Sequence, residues 1–237
     1  MSSDFLEEFA QMALELNEEG TVDETVDRVL QYALKAVSCG YAGIMVVHGR
    51  KRIETAAATA PLVAEIEAIQ TQCGEGPDLD VLEDRYSVLV TDTRTETRWP
   101  TWARCVAERG IRSLLSVRLY TSSSTVGTLN LYDEAPNRFD VADQDVAHVL
   151  ARHAAVALSH ARQTENLWQA IDARKRVGQA QGMLMERYQL SEDQAFAVLL
   201  RYSQNNNMKL REVAERLIST RDLPGATGTA SRLEAAD

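Results

Sequence analysis

The chain has 237 residues, which is long for one ordinary domain and sufficient for two. Hydrophobic residues make up 45% of the sequence and charged residues 25%, and no window approaches the apolar length that a membrane span requires. The first residues lack the basic and apolar segments of a signal peptide, so we expect a cytoplasmic protein with no membrane partner.

The three cysteines are Cys39, Cys73 and Cys105. Their odd number and wide, irregular spacing match neither a disulfide framework nor a zinc site, so we predict reduced thiols and no metal site. The sequence also lacks paired catalytic carboxylates and a phosphate-binding Gly-Lys-Ser loop. We therefore predict no catalytic residues and a protein that is not an enzyme.

The formal net charge of −10 is unevenly distributed along the chain. Residues 1–164 hold 15 Lys and Arg against 25 Asp and Glu, whereas residues 165–222 hold 9 against 8. Because an acidic surface repels phosphates, we expect contact with nucleic acid only in the C-terminal third.

The first 163 residues mix two hydrophobic periods. Helical spacing over residues 3–38, with a break at Gly20 and a cap at Thr21 or Asp23, predicts two helices. The pattern then predicts strands at 41–48 and 53–59 around a turn at 49–52, a helix from Pro61, a loop at 73–80, a strand at 87–92, a helix at 99–109 and strands at 111–120 and 125–133. This order predicts an α+β fold, an antiparallel sheet with flanking helices and a ligand pocket between sheet and loops.

Residues from about 142 to 187 contain no proline and read as one long helix or two stacked helices. One stripe of small apolar residues is suited to lie on the sheet. A second stripe follows the 3-4 spacing of a coiled coil and predicts a modest dimer contact. Its members are Val146, Val149, His153, Val156, His160, Gln163, Leu167, Ala170, Arg174 and Val177.

The C-terminal third reads as a small helical bundle. A capping box over residues 191–194 begins one helix, Asn205–Asn207 ends it, and a short amphipathic helix follows from Leu210. Residues 223–237 have the composition of a disordered tail. The arginines and amides of this region suit contacts with phosphates and base edges, or alternatively form a solvated helix face with ion pairs such as Arg211–Glu215.

Several segments of the first 163 residues resemble GAF domains: Gly74-Glu75-Gly76-Pro77, Val90-Thr91-Asp92 and Phe139-x-x-x-Asp143. The resemblance implies a sensory domain that binds a cyclic nucleotide, tetrapyrrole, haem, metabolite or ion, or only dimerises. It does not identify a cofactor, and Asp78 stands where related domains often have the cysteine that would support a tetrapyrrole. The candidate pocket residues are Gly76, Asp78, Trp99 and Trp102, of which the two tryptophans are either core or ligand-stacking residues.

Residues 164–222 resemble an ANTAR domain through 177–187, 190–196, Ser203-Gln204 and 209–215. The resemblance implies a dimer that binds paired hairpins in nascent RNA and prevents a terminator from forming. It also implies that small Ala180 and Gly182 allow close helix approach, and that Gln181 replaces a lysine common in the family. The candidate RNA-binding residues are Arg176, Gln179, Gln181, Arg187, Arg201, Ser203, Asn206, Lys209 and Arg211, with cations for phosphates and amides for exposed loop bases.

Three other functions remain open at this point. Residues 192–218 are a candidate helix-turn-helix for DNA, although the turn lacks its common glycine. The chain is alternatively a sensor or interaction module without nucleic-acid binding. The resemblance to GAF domains also implies a third alternative, because some of them reduce free methionine sulfoxide with cysteines. Cys73 and Cys105 would serve that reaction here, but no basic cluster surrounds Cys73. The expected partners are RNA hairpins, a second copy of the chain, and an unknown small-molecule signal or regulatory protein.

Overall fold

The computed structural model of the protein describes residues 11–12, 14–16, 20–49, 52–83 and 85–222. Two positions of the turn predicted at 49–52, namely 50–51, and the tail predicted at 223–237 lie outside the described residues, as does part of the first predicted helix. By its internal contacts the chain divides into two units, residues 1–165 and 166–237.

In the first unit, the described residues 11–12 and 14–16 are helical, and helix α1 (Val22–Val37) follows them. Of the two predicted caps, Thr21 or Asp23, Thr21 is the N-cap of α1: its Oγ1 accepts a hydrogen bond from the backbone N–H of Glu24 at 3.2 Å. The Glu24 carboxylate in turn accepts from the backbone N–H of Thr21 at 3.1 Å, which completes a capping box. This reciprocal pair satisfies two backbone donors that a helix start leaves free.

Five strands form the sheet of the first unit. They are β1 (Tyr41–His48), β2 (Arg52–Ala58), β3 (Ser87–Val90), β4 (Ser113–Tyr120) and β5 (Thr125–Asp133). Their order is β2-β1-β5-β4-β3, and every neighbouring pair is antiparallel, which confirms the predicted sheet. The central strand β5 is buried at each of its inner positions because both faces of the sheet are covered.

Helices cover the two faces of this sheet. On one face, α1 and the first part of α5 (Val141–Tyr188) enclose a large apolar core. On the other face lie α2 (Pro61–Cys73), α3 (Pro77–Glu83) and α4 (Pro100–Glu108), which enclose a second core. Helix α3 corrects the predicted loop at 73–80: Pro77 and two aspartates in its first turn favour a helix start.

The second unit consists of the last part of α5 with α6 (Glu192–Asn205) and α7 (Leu210–Thr220). Helix α5 is a single helix of 48 residues, so the alternative of two stacked helices is wrong. The predicted capping box at Ser191 is confirmed, with its Oγ accepting from the backbone N–H of Gln194 at 3.3 Å. Among the described residues of this unit, seven form the buried core: Ala180, Leu184, Ala195, Leu199, Val213, Ala214 and Leu217.

The two small residues of α5 differ in their surroundings. Ala180 is fully buried in the core of the second unit. A Cβ added at Gly182 would meet nothing within 4 Å, so the close helix approach expected there is wrong for the described residues.

Within the residues that the structure describes, no helix is apolar over a length that would cross a bilayer.

Two glycines make a matched test of the packing. A Cβ at Gly127 on β5 would overlap the backbone oxygen of Met45 on β1, so Gly127→Ala must displace the strands. We expect it to lower the free energy of unfolding by about 3 kcal/mol. Gly178 on α5 has no neighbour within 4 Å, and Gly178→Ala should raise that free energy by about 1 kcal/mol. Denaturant unfolding measures both, and a stabilised Gly127→Ala variant would contradict the strand packing.

Candidate functional site

A cluster of polar side chains is buried between α2, α3 and the sheet of the first unit. Its members, called here the interior polar cluster, are Glu67, Gln70, Asp78, Ser116 and Asn130, each at most 1% exposed. Helix α2 supplies the first two, α3 supplies the aspartate, and β4 and β5 supply the last two. A polar group buried at this depth is costly unless it is hydrogen-bonded.

Asp78 is the best-satisfied member of the interior polar cluster. Its carboxylate accepts hydrogen bonds from Ser116 Oγ at 2.5 Å, Gln70 Nε2 at 2.5 Å and Asn130 Nδ2 at 2.9 Å. Its backbone N–H donates to Gln70 Oε1 at 2.9 Å. Three donors directed at one carboxylate favour its ionised form.

Glu67 is the second buried carboxylate of the cluster. It accepts from Thr55 Oγ1 at 2.5 Å and from Asn130 Nδ2 at 3.0 Å, and the hydroxyl of Tyr132 lies 3.5 Å away. The Asn130 amide thus donates to both carboxylates and joins them. Within the described residues, no lysine or arginine is hydrogen-bonded to either acid.

This arrangement raises the pKa of both acids. Burial, and then the nearby charge of Asp78, raises the pKa of Glu67 well above its usual range. Burial also raises the pKa of Asp78, but the hydrogen bonds from Ser116, Gln70 and Asn130 oppose that shift. Glu67 therefore keeps its proton at a pH where Asp78 has lost one, and the cluster carries a single negative charge near neutrality.

The four predicted pocket residues fall into two groups. Asp78 is a member of the interior polar cluster and Gly76 adjoins it: Gly76 has φ +150°, and a Cβ there would overlap the side chain of Gln70. Trp99 and Trp102 are 5% and 0% exposed and pack edge to face with ring centroids 5.9 Å apart, within the core on that face. Contact of any of the four with a ligand stays a prediction.

Four members of the cluster were not selected as site residues from the sequence: Glu67, Gln70, Ser116 and Asn130. The usable signal was Asn130, a polar residue between two leucines in a strand that reads as buried. Glu67 gave no such signal, because one acid on an amphipathic helix normally faces solvent.

In the second unit, a groove opens between α5, α6 and α7. We call it the α5–α7 groove, and its polar and aromatic lining residues are Arg174, Gln181, Glu192, Asp193, Phe196 and Arg211. It brings together two of the predicted RNA-binding residues, Gln181 and Arg211. Phe196 and Arg174 were not among the predicted RNA-binding residues, although Arg174 belongs to the predicted coiled-coil stripe.

Two predicted residues instead hold the turn between α6 and α7. The Ser203 hydroxyl donates to the backbone oxygen of Met208 at 2.6 Å. The Asn206 amide donates to the backbone oxygen of Tyr202 at 2.9 Å. Both groups therefore have intramolecular partners that an RNA contact would have to share or replace.

The remaining predicted residues present cations and an amide at the surface. Arg187 lines a separate groove beside Leu217, and its guanidinium donates to the backbone oxygen of Arg221 at 2.6 Å. The ion pairs Arg176–Asp172, at 3.6 Å, and Arg211–Glu215, at 2.9 Å, are partly exposed. The other three are exposed side chains: Gln179, Arg201 and Lys209.

Family models match both units. A model of the GAF domain matches residues 19–159, which is more than half of the chain. The chain belongs to the GAF domain family. A model of the ANTAR domain matches residues 165–218, so both resemblances are confirmed. GAF domains are sensory and ANTAR domains are RNA-binding antitermination modules, which makes this chain a regulatory protein of that general kind.

Solved structures share the fold of the GAF unit. The GAF domain of an Acinetobacter phosphoenolpyruvate-protein phosphotransferase is 19% identical, with a TM-score of 0.56 over 69% of this chain and 97% of that one. The corresponding domain from Coxiella burnetii is 16% identical, with a TM-score of 0.54 over 68% and 96%. Identities this low show the fold alone. A search of curated proteins gives no match.

One structural relative is an enzyme, the free methionine-R-sulfoxide reductase of Neisseria meningitidis. It is 16% identical, with a TM-score of 0.52 over 65% of this chain and 88% of that one, so the likeness again extends only to the fold. In the present chain Cys73 is exposed and Cys105 is half-buried. Neither matched family is catalytic.

The buried acids predict a pH-dependent stability. The folded state holds a proton on Glu67 that the unfolded state releases above its ordinary pKa of 4.5, so stability should fall as pH rises from that value through the raised folded pKa. Glu67→Gln should remove this loss. Its free energy of unfolding, relative to that of the unaltered chain, should therefore rise by up to about 1.4 kcal/mol per pH unit over this range.

Denaturant unfolding from acid to mildly alkaline pH measures this effect. The matched control is Glu65→Gln, the same substitution at an exposed position of the same helix. Parallel pH profiles for Glu67→Gln and the unaltered chain would contradict the assigned protonation.

Proposed function

We propose that this protein is a signal-responsive regulator that binds paired hairpins in nascent RNA and prevents transcription termination. Residues 1–163 would form the sensory domain and residues 164–222 the RNA-binding domain, acting as a homodimer without catalytic activity of its own. The observation that carries the proposal is the ANTAR match over residues 165–218, nearly the whole second domain.

The charge distribution supports an RNA ligand in this domain. Residues 165–222 carry 9 Lys and Arg against 8 Asp and Glu, in a chain whose formal net charge is −10. The predicted contact residues combine cations for phosphates with amides for base edges, which suits single-stranded loops. The ion pairs that some of these cations make are solvent-accessible and therefore weak, so phosphates can replace the carboxylates.

An exposed apolar patch supports the dimer. Leu167, Trp168 and Ile171 are neighbours on α5 and are 61%, 66% and 49% exposed. Of these only Leu167 belongs to the predicted coiled-coil stripe. Three large apolar side chains grouped on one helix face suggest an interface, here with the same face of a second copy.

The GAF domain would supply the regulation. A small ligand or a partner protein affects RNA binding only if it prefers one arrangement of the dimer over another. We propose that α5, whose residues belong to both matched families' regions, is the element whose packing the signal alters.

Charge reversal tests the proposed RNA site. We expect Lys209→Glu combined with Arg211→Glu to lower affinity for a pool of tandem-hairpin RNAs with randomised loops. Because each cation that contacts a phosphate releases about one counterion, the slope of log affinity against log salt should shrink by about 2. Fluorescence anisotropy across a salt series measures both quantities.

The matched control is Arg104→Glu, a charge reversal at an exposed residue of α4 in the GAF domain. Duplex DNA at the same salt concentrations separates the helix-turn-helix alternative. RNA affinity and salt slope that survive the double reversal, or tighter binding to duplex DNA than to any hairpin RNA, would rule out the proposed site.

The dimer is tested by placing charge on its proposed interface. Leu167→Glu with Ile171→Glu should yield a monomer in analytical ultracentrifugation and weaken binding to tandem hairpins by about 100-fold or more, because two linked sites bind together far more tightly than one. The control is Val141→Glu, at a more exposed apolar residue, 73%, where a helix start tolerates an acid. A doubly substituted chain that still sediments as a dimer refutes this interface.

A further inference from the structure

The α5–α7 groove holds an aromatic ring that the core of the second unit does not use. Phe196 is 39% exposed, because α6 buries Ala195 and Leu199 in the core instead. Its ring lies among polar and charged side chains. An aromatic face in such a groove is available for stacking with another flat ring.

Charged groups of both signs line the same groove. Arg174 and Arg211 are exposed, and within the described residues the guanidinium of Arg174 makes no hydrogen bond or ion pair. Glu192 and Asp193 occupy the first turn of α6. Because phosphates are attracted by the arginines and repelled by the acids, an RNA strand would run its backbone past the arginines and turn a base toward the ring.

Gln181 adds a planar amide that is only weakly engaged. Its Nε2 lies 3.4 Å from the backbone oxygen of Glu192, which is near the outer limit for a hydrogen bond. Its Oε1 accepts no hydrogen bond from the residues that the structure describes. An amide with a free acceptor and a loosely held donor is suited to a base edge.

We infer that the α5–α7 groove receives one unstacked base of an RNA loop, with the base stacked on Phe196 and its flanking phosphates at Arg174 and Arg211. The inference rests on the proposed RNA binding. To the predicted RNA-binding residues it adds Phe196 as the side chain that would hold a loop base. A docked protein helix would need a row of apolar anchors. The apolar lining here is limited to Phe196, Val177, Leu210 and Ala173, whereas one base needs only a ring, a polar edge and cations.

Substitutions at Phe196 in the full chain test the stacking. The probe is a tandem-hairpin RNA selected by the unaltered protein from a pool with randomised loops. Phe196→Ala and Phe196→Leu should each lower its affinity roughly 5- to 150-fold, whereas Phe196→Tyr, which keeps the ring, should stay within about twofold. The control is Leu200→Ala, one helical turn away, equally exposed at 39% and outside the groove; its affinity should not change.

The RNA side of the contact is tested with abasic substitutions along each loop. At one loop position, removing the base should weaken the affinity of the RNA for the unaltered protein. The same removal should lower the affinity for Phe196→Ala hardly at all, because both changes remove the same stacking pair. Circular dichroism and thermal unfolding confirm that the variants are folded.

The outcomes separate this inference from the function on which it rests. Unaltered affinity in Phe196→Leu, or additive losses at every abasic position, overturns the stacking site and leaves RNA binding intact. Equal losses in Phe196→Ala and Leu200→Ala overturn it as well. Failure of the unaltered chain to select any hairpin RNA overturns both the proposed function and the inference.

Discussion

Attraction between RNA phosphates and the cations of residues 165–222 is the interaction on which the proposed function depends. The whole chain carries a formal net charge of −10, so association has to rely on local rather than overall charge. Several of the local cations already contact a carboxylate, as in Arg176–Asp172 and Arg211–Glu215. Such solvent-exposed pairs are weak, so phosphates can replace the carboxylates, and RNA binding should be sensitive to salt.

The GAF domain places a different electrostatic constraint on the chain. Asn130 donates to two buried carboxylates, and the described residues supply no hydrogen-bonded cation to neutralise them. One acid must therefore hold a proton near neutral pH, and the donors around Asp78 decide that it is Glu67. The interior beside Gly76 is occupied by side chains of the protein itself, so a ligand at Asp78 would have to replace hydrogen bonds that already satisfy a buried charge.

The sequence predicted the elements whose signals are local. The period of apolar residues indicated the strands and the long helix, and the capping residues Thr21 and Ser191 marked two helix starts. Glycines and Pro77 suggested a loop where the chain forms α3, because proline is equally suited to a turn and to a first helical position. Asp78 was predicted and Asn130 gave a signal, but the interior polar cluster as a whole was not predictable. Its members come from four elements and meet only after the sheet and helices have packed. Phe196 was missed for the same reason: its spacing is that of a core residue, and only the packing of α6 leaves its ring exposed.

The most direct test of the central claim is crosslinking of the full chain to RNA in cells, followed by sequencing of the bound fragments. The proposed function predicts fragments that fold into two adjacent hairpins overlapping a terminator, with crosslinks concentrated in the hairpin loops and depleted in a chain carrying Lys209→Glu and Arg211→Glu. Fragments without paired hairpins, or an unchanged set of fragments from the charge-reversed chain, would contradict it.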